Sequence, residues 1–297
     1  MTTITILGAT GQVGSKTVSN LLSKGHKLRL IARHADKLQQ FANKPGVELY
    51  AGNSLDGNFL ANVFKGSAAV MLMMPGDFQS ENIGLYQDQM AIAQIAAINK
   101  SEVKKVLFLS SVGGHTEDHT GIVAGLARQE KRLSQLEDVD VLILRPGYFM
   151  ENFLANIGLI KSMGINGSPI KAERAFPMIA TQDIAKIAAE KLNKLNWNDK
   201  LLLPLLGPKD YNMAEVTKVL GKAIGKPDLP CVQFSYQEAK QGMKQSGFSE
   251  SIIDSYIEMI DAINSGIFNL ETRNAENTTG TTIEEFSKTF VGVYNQN

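Results

Sequence analysis

Three glycines, Gly8, Gly11 and Gly14, stand three apart directly after the apolar run at residues 4–7. In that setting each has its own task. Gly8 ends a strand where the chain must turn sharply, Gly11 lets backbone approach a bound pyrophosphate, and Gly14 lets the next helix pack closely on the sheet. The helix predicted over residues 13–22 then offers unpaired N–H groups and the positive end of its dipole to phosphate. The chemistry this pattern supports is dinucleotide binding. A glycine triplet alone is a weak signal. Its context here is a preceding strand, a following helix and a place in the first βαβ unit.

The second predicted strand, residues 27–32, ends without the acidic residue that would hold the ribose hydroxyls of NAD. Ala32 and Arg33 stand there instead, with Lys37 four residues beyond Arg33. A planar guanidinium can stack on adenine and pair with a 2′-phosphate, so NADP(H) is the expected cofactor. Asp36, the nearest acid, is placed to start a helix.

Other chemistry is sparse. In "GGHTEDH", His115 and His119 flank Glu117 and Asp118. This is not the His-Glu-x-x-His zinc pattern and no third ligand is evident, so a polar loop at a cleft rim is expected, with His115 a weak candidate proton donor. There is no Gly-x-Ser-x-Gly elbow and no Walker loop. The Met-rich "VMLMMPG" reads as core strand. One cysteine, Cys231, excludes an internal disulfide and a multi-cysteine zinc site.

These residues must be held by a scaffold, and the sequence describes one. Strands at residues 4–7, 27–32, 47–51, 68–73, 103–111 and 139–147 alternate with helical stretches, without hairpin signals. Such alternation means parallel strands joined by crossover helices, and solidly apolar strands mean helices on both faces. The fold class is therefore α/β, a doubly wound parallel sheet with a smaller, mainly helical C-terminal lobe. Residues 1–150 would form the nucleotide-binding part, with the sheet completed by about 181–207. Residues 151–180 and 208–297 would form the smaller lobe. Thr181 reads as an N-cap, and Thr282 with Glu285 as a capping box. The 297 residues carry 30 basic and 30 acidic side chains, a balance that argues against a nucleic-acid surface. No apolar run approaches a membrane span, and the N-terminal run is too short for a signal peptide, so a cytoplasmic protein is expected.

Taken together, "ITILGATGQVGSKTV", "RLIAR", "VKKVLFLSSVGG", "LILRPGYFMENF" and "PMIATQDIAKIAAEKL" resemble the NmrA-like branch of the atypical short-chain dehydrogenases/reductases. That resemblance spans most of the chain and implies a Rossmann domain, with NADP(H) in the cleft beside a small C-terminal lobe. It implies that Gly8, Thr10, Gly11, Gln12, Val13 and Gly14 hold the pyrophosphate and that Arg33 and Lys37 meet the 2′-phosphate. Asn53 and Ser54 would line the adenine pocket, although the family often has Asp at the first. Met73, Met74 and Pro75 would flank the ribose. Ser110 and Ser111 would lie beneath the nicotinamide ribose, and Gly147, Tyr148 and Phe149 beside the nicotinamide. Tyr148, Phe149, Asn152 and Phe153 would face the substrate cleft.

Short-chain reductases that reduce carbonyls carry Tyr-x-x-x-Lys on the helix after the fifth strand. The corresponding "GIVAGLARQEKRLSQL" has no Tyr, and Lys131 has Ala127 four residues before it. Lys131 remains a weak catalytic candidate. Tyr236 and Lys240 have the right spacing but lie on a helix of the C-terminal lobe, where a chance match is expected. The resemblance implies either an NADPH-dependent reductase of quinones or similar acceptors, or a redox sensor acting through a protein partner. A quinone can take hydride directly, with solvent supplying the proton, so the missing Tyr excludes neither.

Overall fold

The computed structural model describes residues 2–296. Strands β1 (Thr3–Leu7), β2 (Lys27–Ala32), β3 (Val47–Ala51), β4 (Ala69–Leu72), β5 (Lys105–Leu109) and β6 (Asp140–Pro146) are joined by crossover helices. These are α1 (Gln12–Leu22), the short α2 (Ala35–Leu38), α3 (Gly57–Phe64), α4 (Ile83–Ser101) and α5 (Ala124–Ser134). After β7 (Tyr148–Phe149), α6 (Ile157–Met163), β8 (Asn166–Ser168), β9 (Phe176–Ile179) and α7 (Thr181–Lys194), strand β10 (Lys200–Leu205) returns to the sheet beside β6. The seven parallel strands run in the order β10-β6-β5-β4-β1-β2-β3. The chain leaves β1 toward β2 and β3, then crosses back to place β4 on the other side of β1. The carboxyl ends of β1 and β4 therefore border the crevice where such sheets bind ligands.

Period-two alternation decides what covers each face. Ile4, Ile6, Ala69, Met71, Leu142 and Leu144 pack with Val13, Val18 and Leu21 of α1 and with Ile184, Ala188 and Leu192 of α7. The alternate residues, among them Leu7, Val70, Leu72, Val106, Phe108 and Val141, pack with α3, α4 and α5 through Leu60, Phe64, Ala97 and Leu133. Both sets are buried, which accounts for the near-continuous apolar strands.

The C-terminal third has its own core. Strand β11 (Asp210–Tyr211) leads into helix α8 (Met213–Ala223), and β12 (Cys231–Gln233) connects it to α9 (Tyr236–Gln245), α10 (Glu250–Ser265) and α11 (Ile283–Gln296). Their apolar faces cluster with Val112 and Met150, which lie just past β5 and β6. This lobe thus rests over the carboxyl ends of those strands. Two small sheets, β11-β9-β7 and β12-β8, form here, all of their strands but β7 within the region expected to be mainly helical. Their two- to four-residue strands are too short to show a period.

One local expectation is overturned. The N-cap of α7 is Ala180, and Thr181 is already helical. The capping comes from Glu151, whose carboxylate accepts the Thr181 N–H at 3.1 and 2.9 Å. The Thr181 hydroxyl also donates to Glu151, and Lys16 of α1 reaches that carboxylate at 3.3 Å. The box at Thr282 and Glu285 forms as expected, with reciprocal bonds of 2.9 and 3.2 Å.

Candidate functional site

The glycine turn is built by backbone bonds. The N–H groups of Gly8 and Ala9 donate to the Ile31 carbonyl of β2 at 3.1 and 3.3 Å, and Gly11 N–H donates to Gly8 O at 3.0 Å. Gly8 has φ +75°, a left-handed conformation that disfavours a side chain. A Cβ on Gly14 would stand 2.2 Å from Gly8 O, so α1 meets the turn backbone to backbone. Gly11 differs. It is the N-cap of α1, without a side-chain cap, and a Cβ there would have only Gly8 O, at 3.4 Å, within contact distance. Its open side faces a cavity of about 230 Å³, lined also by Gly8, Thr10, Ala32, Arg33, Lys37, Ser54, Met73 and Pro75.

Two features of this cavity suit an adenosine phosphate. Ser54 is 2 % exposed, yet its Oγ has no hydrogen-bond partner. Such an orphan hydroxyl calls for a polar ligand atom. At the mouth, Arg33 and Lys37 are exposed cations with no acid lining the cavity beside them. Arg33 Nη2 donates to Gly76 O at 3.0 Å, tying the end of β2 to the loop after β4. Neighbouring residues fall elsewhere. Val13 is 3 % exposed in the core, Gln12 pairs on the surface with Lys16 at 3.3 Å, and Met74 packs with the α3–α5 layer. Asn53 spends its Oδ1 on the Leu55 N–H at 3.0 Å, and lines an outer groove with Arg33, His34 and Tyr86. His34 and Gly52 also line the main cavity, and nothing in the sequence marked them.

Beyond the glycine turn, at the ends of β5 and β6, lies a larger cavity of about 570 Å³. Ser110, Ser111, Gly147, Tyr148, Phe149 and Asn152 line it as the sequence led us to expect. Phe153 does not. It is 1 % exposed and packs beneath the Tyr148 ring at 5.9 Å, while Phe176 meets that ring edge-on at 5.5 Å. The remaining wall is apolar and comes from far along the chain, through Ile122, Leu126, Tyr256, Met259, Ile263 and Phe268. Phe78 joins it from the loop after β4. That loop is clipped to the C-terminal lobe by Ser249 N–H on Phe78 O at 3.1 Å and by the Phe78 and Phe248 rings, 5.1 Å apart.

The polar floor is spoken for. Ser110 Oγ donates to Glu130, whose carboxylate holds Arg145 through bonds of 2.9 and 2.5 Å. Arg145 also donates to Gly114 O at 2.9 Å. The pair is buried, and its forked geometry compensates the desolvation of both charges. Two phenols remain in the cavity. Burial pushes the Tyr148 phenol well above its ordinary pKa, the nearby Tyr256 adds to this, and the Asn152 amide partly offsets it. Burial raises Tyr256 as well, with the Tyr148 hydroxyl partly offsetting.

The weak catalytic candidates lie outside this cavity. Exposed His115 and Lys131 line a separate outer groove with Lys200 and Leu202, so neither faces the cleft. Arg128 is held by Asp88 of α4 at 2.9 Å. Tyr236 donates to Asp261 at 2.9 Å, and Lys240 pairs with Asp254 at 2.6 Å, both away from the cleft. His119 faces Glu258 at 4.0 Å, and no group of three or more potential metal ligands occurs among the described residues. Among the same residues no helix is long and apolar enough to cross a membrane.

Comparison with solved structures finds the same fold. The triphenylmethane reductase of Citrobacter sp., solved with NADP(H), superposes with a TM-score of 0.79 at 20% identity, over 97% of this chain and 99% of that one. The NADPH-dependent quinone oxidoreductase QOR2 of Escherichia coli, solved with NADPH, gives 0.72 at 20% identity, over 96% and 99%. The photosystem II assembly factor Ycf39 of Guillardia theta is 26% identical over 229 residues, covering 74% of this chain and 70% of its own. The family described as NAD(P)H-binding matches residues 8–194, more than half of the chain. With this match on the glycine turn and the sheet behind it, the chain belongs to the NAD(P)H-binding family, as its resemblance to NmrA-like atypical short-chain dehydrogenases/reductases implies.

Proposed function

We propose that the protein is an NADP(H)-dependent reductase of quinones or similar flat, apolar acceptors. Residues 1–150 with 181–207 would hold the dinucleotide, and residues 151–180 and 208–297 would close over the acceptor. The observation that carries this reading is the apolar cavity of about 570 Å³ at the ends of β5 and β6. Gly8, Thr10, Gly11 and the first turn of α1 would take the pyrophosphate, Ser54 the adenine, and Arg33 with Lys37 the 2′-phosphate. Ser110 and Ser111 would meet the nicotinamide ribose. The bound dinucleotide supplies hydride. The chain's own part is to hold an acceptor against it in an enclosure poor in water, so that proximity and orientation lower the barrier. The Citrobacter and E. coli neighbours, a dye reductase and a quinone reductase, are consistent with such a site. A reductase drawing on NADPH, with a lone cysteine, suits the cytoplasm.

The alternative, a sensor that binds NADP(H) and acts only through a protein partner, leaves the apolar chamber without a use. Steady-state NADPH oxidation tests the choice. Turnover is expected with a panel of quinones and not with simple ketones. Tight NADPH binding without turnover on any quinone contradicts the reductase and favours the sensor.

A further inference from the structure

Reducing a quinone to a hydroquinone takes hydride and one further proton, and the cavity has few sources for it. Glu151 lines the wall, but its carboxylate is engaged by Thr181 and Lys16. Ser110 points its hydroxyl hydrogen into Glu130. His115 and Lys131 face another groove. Ser111 also lines the cavity, but an alkyl hydroxyl is a far weaker acid than a phenol, and the phenols that line it are Tyr148 and Tyr256. The two do not stand alike. The Tyr148 ring is wedged between Phe153 and Phe176, and the amide of Asn152 stands at its hydroxyl. Tyr256 projects from α10 and has Tyr148 as its hydroxyl partner.

Resting on the reductase reading, we propose that Tyr256 is the proton donor to the reduced acceptor, with Tyr148 and Asn152 positioning it. The acceptor gains two electrons and one hydrogen as hydride, the donor nicotinamide being oxidised, and becomes a hydroquinone monoanion. The Tyr256 O–H bond breaks, its proton passes to the anionic oxygen, and a neutral hydroquinone leaves. The Tyr148 O–H, itself supported by the Asn152 N–H, donates to the Tyr256 phenolate until water returns the proton. A phenol is protonated through the neutral range, so the donor carries its proton before each turnover. The lobe that closes the cleft thereby supplies the hydroxyl that helix α5 lacks.

Two acceptors separate this role from a structural one. A quinone needs the proton; a cationic triarylmethane dye takes hydride at its carbocation and becomes neutral without one. Tyr256→Phe is expected to lower kcat on the quinone about 100-fold, as removal of a general acid does. Dye turnover should fall much less than quinone turnover, and NADPH binding by calorimetry should stay within about threefold. Tyr148→Phe should fall between wild type and Tyr256→Phe on the quinone. Equal losses on both acceptors, or an unchanged quinone kcat, overturn the donor role and leave the reductase reading standing. If the dye is not accepted, a fall in kcat at constant quinone KM supports the role and a rise in KM at constant kcat overturns it. A wild-type protein idle with both acceptors yet binding NADPH overturns the reductase reading and this proposal with it.

Discussion

The two cavities, one at the glycine turn and one at the ends of β5 and β6, are built in different ways. The smaller one, about 230 Å³, draws its lining from residues 7–75, the first part of the sheet. Its walls combine glycines and small side chains with Leu7, Ile31, Met73 and Pro75, and two cations stand at the mouth. The larger one, about 570 Å³, gathers residues 78–268 from six separate stretches, and its walls are mainly aromatic and aliphatic. The difference teaches that nucleotide recognition here is local in sequence, while acceptor recognition is tertiary. One βαβ unit can shape a phosphate cradle, but an apolar chamber of this kind needs a second layer brought over the strand ends.

Mutations at the turn should break one side of this comparison and spare the other. In Gly11→Val the side chain would stand in the cavity with little protein to displace. Dinucleotide affinity should fall by more than about 100-fold while thermal stability changes by no more than about 1 kcal/mol. Gly14→Ala should do the reverse first, because its Cβ would meet backbone at 2.2 Å. A stability loss of about 3 kcal/mol is expected there. Calorimetry with NADPH and denaturant titration of both variants measure the contrast; equal effects would erase the distinction between cradle and packing contact.

A smaller effect is expected at the mouth. Arg33→Ala should weaken NADPH binding about ten- to a hundred-fold, the value of a charge-assisted contact, and leave NADH nearly unchanged. Lys37→Ala should cost less, since a flexible exposed ammonium is screened by salt. Parallel titrations of the two cofactors decide this. Equal losses would reduce Arg33 to stacking, and a wild-type preference for NADH would overturn the reading of this strand end.

The smallest effect belongs to Tyr236. Its hydroxyl bonds Asp261 and Asn264 at 2.9 and 3.0 Å, outside both cavities. Tyr236→Phe should leave NADPH oxidation within about threefold of wild type, and a loss of about 100-fold would require a different placement of α9.

How much of this was legible follows the same division. The central strands of the main sheet could be read because buried parallel strands are solid apolar runs. The glycine turn could be read because its whole geometry lies within one short segment. Thr181 misled because a local cap is the default reading of Thr before a helix, whereas the actual cap, Glu151, lies thirty residues earlier. Phe153 was placed at the cleft by its neighbours Tyr148 and Asn152, but its side chain turns into the core beneath Tyr148. Tyr256 carried no signal. The apolar spacing of α10 marks Ile253, Ile257 and Ile260 as its buried face, and nothing in that spacing says that Tyr256, beside them, meets a cavity rimmed by β5 and β6.

The central claim, that an acceptor is reduced within the apolar cavity and not merely near a bound dinucleotide, is tested most directly by filling that cavity from its rim. Ala155 lines it and is exposed, so a large side chain there can enter the space without disturbing the core. For Ala155→Trp, NADPH affinity should remain within about threefold of wild type, while kcat/KM for quinone falls at least about tenfold, chiefly through KM. Full quinone turnover in a folded Ala155→Trp protein would contradict the account.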